Sequence, residues 1–220
     1  ALSYGQNLNE VVISASRRSE KILDAPASVS IITSQDLENT ANVNDPIRNL
    51  VNIPGVQFQQ QSANSVNFEM RAGSGVFGTS VFPILDYRFL QSPASGSFFA
   101  FQSGLSNLDL ERVEVVRGAA SALYGPGVES GVVHFFSKKA IDRPGTSIEL
   151  IGGNLSTLSG AIRHAYANKK KTFGFKINAQ YKKGDEFSLD PVEDAAFLAQ
   201  INGATANGIF QPTVRNNRID

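Results

Sequence analysis

Apolar and polar residues alternate most strictly between Thr172 and Lys182, where Phe173, Phe175, Ile177, Ala179 and Tyr181 share one face and Thr172, Lys176, Asn178, Gln180 and Lys182 the other. A period of two is that of a β-strand with one apolar face. Leu158 to Tyr166 repeats it, with Leu158, Gly160, Ile162, His164 and Tyr166 on one side, and Thr146 to Gly153 follows it loosely. Upstream, Arg112 to Val116 sets Val113 and Val115 against Arg112, Glu114 and, just beyond, Arg117, so one face can be buried while the other carries charge of both signs. Val132 to Ser137 is a second, almost continuously apolar strand, and Gly118, Gly125, Gly127 and Gly131 with Pro126 shape the turn region between the two. At most one helical turn, around Ala120 to Tyr124, fits there.

Ser28 to Thr33 is a β-branched strand, followed by Ser34 as an N-cap with acidic residues in the first turn. Asp45-Pro46 starts a second helix with an apolar stripe of Ile47, Leu50 and Val51, which ends at Pro54. Val56 to Gln61 and Val66 to Met70 read as a strand pair, and Gln91 to Gly104 as a long serine- and phenylalanine-rich loop. Leu8 to Arg18 is extended or disordered, and Asp185 onward is a long polar stretch.

The chain has 220 residues, enough for one or two domains with a core, and its 20 basic residues balance 20 acidic ones. No overall electrostatic footprint for nucleic acid or anionic lipid appears. Without cysteine it has no disulfide, thiolate metal site or cysteine nucleophile. No apolar run reaches the ~18 residues of a transmembrane helix, so a membrane role would use strands. The last alternating stretch, at eleven residues, meets the ~9–11 needed for a tilted membrane strand. A soluble antiparallel sandwich strand is the other reading of it. No G-x-S-x-G elbow, H-E-x-x-H pair or Walker loop occurs, and neither a metal site nor a cofactor is expected. His164 reads as a wall residue rather than a ligand. Gly125, Gly127 and Gly131 come within one residue of a dinucleotide fingerprint, but they lead straight into a strand and open no helix.

The segment LERVEVVRGAASALYGPGVESGVVHFFSKK, Leu110 to Lys139, resembles the central motif of the plug domain of TonB-dependent outer-membrane receptors. Glu111, Arg112, Glu114, Arg117, Gly118, Ser121, Leu123, Tyr124, Gly125, Gly131 and Val132 match that pattern; Ala119 replaces a proline, and His134-Phe135-Phe136 replaces Asn-Ile-Ile. Pro26 with Ser28 to Ile32, and Asp45 to Val56, resemble further family patterns, as does Phe68-Glu69-Met70-Arg71 with one residue inserted before its glycine. Tyr87 stands where the family has glycine, so the turn after Val81 to Asp86 is expected to differ.

The resemblance implies an α+β plug, a small mixed sheet with short helices, over residues 19–140, followed by the first three antiparallel strands of a 22-stranded transmembrane barrel over 141–220. Residues 1–18 would hold the TonB box, Glu10, Val11, Val12, Ile13, Ser14 and Ala15, unpaired in the free protein and added as a strand to a partner's sheet. An ordinary edge strand is the alternative. Residues 1–5 resemble the end of a signal peptide. The plug–barrel interface would include Arg71, Arg112, Glu114 and Arg117, and the plug turn Gly118, Tyr124, Gly125 and Gly131. Phe98, Phe99 and Phe101 would lie on a ligand-side loop. The implied function is non-enzymatic import of a siderophore-, cobalamin-, glycan- or peptide-type substrate across a Gram-negative outer membrane. The implied partners are the TonB-ExbB-ExbD complex, outer-membrane lipid, an external small ligand and a surface lipoprotein, with no nucleic acid. Three strands close no barrel, so the chain is expected to be part of a longer one; an accessory plug docking on another channel is the competing reading.

Overall fold

The computed structural model describes residues 11–12, 20–21, 28–40, 45–60, 66–70, 81–92, 98, 103–118, 124, 128, 130–186 and 199. Residues 1–186 form one compact unit and 187–220 a second, of which only Ala199 is described. Strands β1 (Val11–Val12) and β2 (Glu20–Lys21) pair antiparallel. This pairing differs from the expectation of an unpaired segment. Strand β3 (Ser28–Thr33) leads into helix α1 (Ser34–Asn39), and a 3-10 helix over Pro46–Asn52 follows. The cap is Thr33 rather than Ser34: its hydroxyl accepts from the Asp36 N–H at 3.3 Å, while the Asp36 carboxylate accepts from the Thr33 N–H at 2.9 Å. In the second helix Ile47 and Leu50 are buried but Val51 is exposed, because a three-residue period keeps positions 47 and 50 on one face and turns 51 out.

Strands β4 (Val56–Gln60) and β5 (Val66–Met70) form the expected antiparallel pair. Strands β6 (Val81–Leu85), β7 (Arg88–Phe89), β8 (Leu110–Arg117) and β9 (Gly131–Ser137) join β3 in a mixed sheet of order β3-β8-β9-β6-β7, in which only β6 and β9 run parallel. One face of this sheet gives Val113, Val115, Val133 and Phe135 to a core shared with Leu37, Ile47, Leu50, Phe68 and Met70. Val116 and Val132 point the other way, against Val29, Tyr124 and Val128. The two sides of β8 and β9 are thus both covered, which explains why β9 reads as a continuous apolar run.

Strands β10 (Gly145–Gly152), β11 (Leu158–Ala167) and β12 (Gly174–Lys183) form an antiparallel meander. The last strand starts two residues later than the alternation suggests, because Asn168 holds Thr172 and Phe173 in the preceding turn through their backbone N–H groups, at 2.8 and 3.1 Å. Among the described residues no helix is long and apolar enough to cross a membrane.

The β6–β7 turn corrects the expectation that it would differ: it keeps the left-handed geometry that suits a glycine, with Asp86 (φ 45°) and Tyr87 (φ 70°) supplying it. Two positive-φ residues in a two-residue hairpin loop suit the sheet's twist, and local bonds offset their steric cost. The Asp86 N–H donates to the Phe135 carbonyl at 3.1 Å and its carboxylate accepts from the Ser137 N–H at 3.0 Å.

Gly131 is needed at its position: φ is +153°, and a Cβ there would lie 2.3 Å from the Val116 carbonyl oxygen and 2.7 Å from Met70 Cε. Gly131→Ala is expected to destabilise the mixed sheet by about 1–3 kcal/mol, read as a lower denaturant midpoint for protease resistance; an unchanged midpoint would contradict the close approach.

Candidate functional site: the seat of the mixed sheet on the three-stranded sheet

On the mixed sheet's second face, positions two apart on a strand meet. Arg112 Nε donates to Glu114 Oε1 at 2.7 Å, and the Glu114 side chain is fully buried. The Arg112 guanidinium lies 4.0 Å above the Phe136 ring, which stacks on His134 at 3.9 Å. Tyr87 stands edge-on to His134 at 4.8 Å and donates its backbone N–H to His134 Nε2 at 3.3 Å. Two departures from the family pattern, Tyr87 for glycine and His134 with Phe136 for Asn and Ile, therefore meet in one cluster. A groove of about 640 Å³ opens beside it, lined among others by Glu111, Lys139 and Arg143.

Arg117 is engaged locally: its Nη1 donates to the Pro54 carbonyl at 2.7 Å and its Nη2 to Ser28 Oγ at 2.8 Å, tying β3 and the end of the 3-10 helix to β8. Tyr124 is buried with Val128 and Val132. The Gly118 N–H donates to the Ser130 carbonyl at 2.9 Å and narrows the base of the turn. Gly125 lies outside the described residues, as do Arg71, Phe99 and Phe101. Of the TonB-box residues, Val11 and Val12 are described as paired strand and Glu10, Ile13, Ser14 and Ala15 fall outside. Phe98 corrects an expectation: it is buried in the core, edge-on to Phe68 at 5.9 Å, because Phe68 offers an apolar partner that a ligand-side loop would not.

The strongest contacts between the two sheets converge on Asp109, in a 3-10 turn over Asn107–Asp109 just before β8. Its carboxylate accepts from Arg163 Nε of β11 at 2.8 Å and from Lys176 Nζ of β12 at 2.7 Å. Arg163 Nη1 also donates to the Arg143 carbonyl and Nη2 to that of Lys138, at 3.0 and 3.3 Å; Lys176 Nζ also reaches Ser137 Oγ and the Lys138 carbonyl, at 2.8 and 3.1 Å. Arg163 is nearly sealed from water, with 4% of its side chain exposed. A second bridge joins Lys138 Nζ to Glu38 of α1 at 3.0 Å. Sequence reading missed Asp109 and Arg163. The available signal was Arg163 itself, a lone charge on a β11 face otherwise made of Ser159, Ala161 and Ala165.

The other face of the three-stranded sheet is apolar and open. Ile148, Leu150, Ile162, Phe175, Ile177 and Tyr181 are all exposed, as the alternation requires. His164 shares this face, where its Nδ1 lies 2.8 Å from the hydroxyl of Thr146 across the pair.

Residues 21–132, just over half of the chain, match the family model for the TonB-dependent Receptor Plug Domain. The chain belongs to that family. Its members are outer-membrane proteins of Gram-negative bacteria, and the chain is placed there. It is 32% identical over 186 residues to a vitamin B12 transporter, BtuB, of Vibrio cholerae serotype O1, covering 83% of this chain and 29% of that protein. In fold it is similar to the pyoverdine outer membrane receptor FpvA of Pseudomonas aeruginosa (TM-score 0.62, 18% identity, 79% of this chain and 24% of the receptor). It is also similar to the alcaligin receptor FauA of Bordetella pertussis (TM-score 0.59, 20% identity, 82% of this chain and 32% of the receptor). The chain thus spans less than a third of the length of these proteins. The mixed sheet is the plug.

Asp109→Ala strands the nearly sealed Arg163 and removes the carboxylate partner of the partly exposed Lys176, and is expected to cost the plug about 3 kcal/mol of stability, measured by pulse proteolysis of the plug in the complete receptor; a loss under 1 kcal/mol would show that the seat lies elsewhere. Burial pushes the Asp45 carboxyl above its ordinary pKa of 3.8, against the opposing charges of Lys182 and Arg48 and the Ile47 N–H. A raised folded pKa gives stability that is complete below the unfolded value and lost as pH rises through the folded one. Asp45→Asn, which keeps the cap acceptor for the Ile47 N–H, is therefore expected to remove that acid-side gain; an unaltered pH profile of plug stability would contradict the assignment.

Proposed function

We propose that this chain supplies the plug and the first wall strands of a transporter that imports a scarce external ligand across the outer membrane, energised from the inner membrane through TonB with ExbB and ExbD. The observation that carries this reading is the two-faced three-stranded sheet. Its outward face is apolar and unpartnered, while its inward face seats the plug through Asp109. Strands of 8 to 10 residues suit a tilted membrane crossing. Their outer edges, on β10 and β12, are open among the described residues. Unpaired backbone groups in hydrocarbon cost several kcal/mol each, so both edges call for neighbouring strands and a closed barrel; the resemblance puts its size at 22 strands.

The plug–barrel interface is assigned to Arg71 and Arg112, with Glu114 acting through Arg112; Arg117, expected there as well, bonds instead within the plug, to Pro54 and Ser28. Charge-assisted bonds suit a surface that must part and re-form, since water can replace each of them. Glu10 to Ala15 would add as a strand to TonB, displacing the Val11–Val12 pairing with Glu20–Lys21. Cobalamin- and siderophore-type ligands are the favoured classes, by similarity to the vitamin B12 transporter and to the pyoverdine and alcaligin receptors.

Val12→Pro removes a ladder donor and is expected to abolish energised uptake by the complete receptor while ligand binding at the surface persists. Uptake at the wild-type rate would overturn the TonB-box assignment. Probes at single cysteines replacing Phe175 or Ile177 are expected to be quenched by brominated lipid, and probes replacing Asn178 or Gln180 not. Equal behaviour of the two sets would favour a soluble sheet and an accessory role.

A further inference from the structure

The hairpin between β11 and β12 ends in a turn built with unusual care for a surface loop. The Asn168 side chain closes it: Oδ1 accepts from the N–H groups of Thr172 and Phe173 at 2.8 and 3.1 Å, and Nδ2 donates to the Thr172 hydroxyl at 2.8 Å. The Asn168 N–H donates to the Phe173 carbonyl and the Lys171 N–H to the Asn168 carbonyl, both at 2.9 Å, with Lys171 at φ +53°. This clamped loop displays Lys169, Lys170 and Lys171 in succession, all exposed and none in an ion pair among the described residues. Three neighbouring like charges repel one another, and the fixed turn prevents them from spreading apart. By contrast Lys138, Arg143, Arg163 and Lys176 nearby all have carboxylate partners.

Directly beneath the lysines on the outward face, Tyr166 and Phe173 flank Phe175, with ring centroids 5.7 and 6.4 Å from it. A cluster of exposed rings at one end of an apolar strand face is the arrangement of a membrane interface, where rings lie at the headgroup boundary and longer cationic chains reach past it. The side of the membrane follows from loop length. In outer-membrane barrels the long loops face outward and the periplasmic turns are short; the long polar stretch of sequence follows β12 at the other end of the sheet, where the short 153–157 connection also lies, so that end is the outward one and this turn the periplasmic one. The lysines therefore reach the inner leaflet, where the phosphates are those of glycerophospholipids.

The geometry points to the Asn168–Phe173 turn as a docking site for an anionic phospholipid of the inner leaflet, its phosphates held by Lys169, Lys170 and Lys171 and its acyl chains lying against Tyr166, Phe173 and Phe175. This rests on the membrane-spanning reading above. The bound lipid lies beside the plug's connection to the wall: Gly174, the first residue of β12, is so close to it that a Cβ would meet Ile141 Cγ1 at 3.0 Å.

The test measures binding of phosphatidylglycerol and of cardiolipin to the complete receptor by native mass spectrometry, against phosphatidylethanolamine and lipid A as competitors. Each lysine near an anionic surface contributes about fivefold, so replacing all three by Gln is expected to weaken anionic phospholipid binding by roughly a hundredfold. Replacing all three by Arg is expected to preserve it. Asn168→Ala, which leaves every charge in place but frees the turn, is expected to weaken binding several-fold. Unchanged affinity of the Gln variant, or loss in the Arg variant, would overturn the site; full affinity in Asn168→Ala would overturn the role of the clamped turn. If the Gln change weakened lipid A instead, the inner-leaflet assignment would fall. Quenching by brominated lipid at positions 175 and 177 separates the two levels: if it persists while the lipid result fails, only this site is wrong, and if it is absent, the barrel reading itself fails.

Discussion

Asp109 is one carboxylate asked to neutralise two cations in a place that water scarcely enters. Burying such charges costs several kcal/mol per ion unless the remaining donors find acceptors. The structure meets that condition by folding the Lys138 to Gly145 connection back on itself, so that carbonyls of Lys138 and Arg143 take further donors of Arg163 and Lys176. The plug, its connection to the wall and two wall strands are therefore one bonded assembly, and none of the three can be repositioned unless water takes over the polar groups it leaves behind. Register fixes the partners: Ala165 faces Lys176 across the strand pair and Arg163 faces Asn178, which sets the two cations diagonally about a single carboxylate.

The same accounting governs the plug's second face. Glu114 is buried on a strand that pairs with β9 opposite His134, and Arg112, two positions away on its own strand, is on the correct side to meet its charge. Arg112 then needs cover for its flat surface, which Phe136 supplies. His134 accepts at Nε2 from the Tyr87 N–H. Tyr87, His134 and Phe136, three of the residues that depart from the family pattern, thus lie in one cluster, and the left-handed Tyr87 donates to the same histidine that replaces an asparagine.

Strands were legible wherever alternation spoke for one exposed and one covered face, as in β11 and β12. Pairings were not: β6 and β9 are joined in parallel across some fifty positions, and nothing local in Val81 to Leu85 announces it. Asp109 escaped notice because a single acid in Asn-Leu-Asp looks like ordinary turn chemistry, and its partners lie 54 and 67 residues away. Phe98 was misread from composition, since serine-rich surroundings suggest a loop whatever the aromatic among them does. The second helix was legible in position but not in pitch, and pitch decided that Val51 would face water.

The inward side of β11 is lined by Ser159, Ala161 and Ala165 around the one long residue, Arg163. Side chains this short cannot interlock with those of a facing surface, so this stretch of wall, though covered, offers a smooth seat rather than a grip. What holds the plug against it is a small number of discrete polar bonds, each of which can break and be taken over by water without any neighbouring group having to repack. A displaced plug would meet little sliding resistance here and would find its place again by charge, over distances at which packing forces have already vanished.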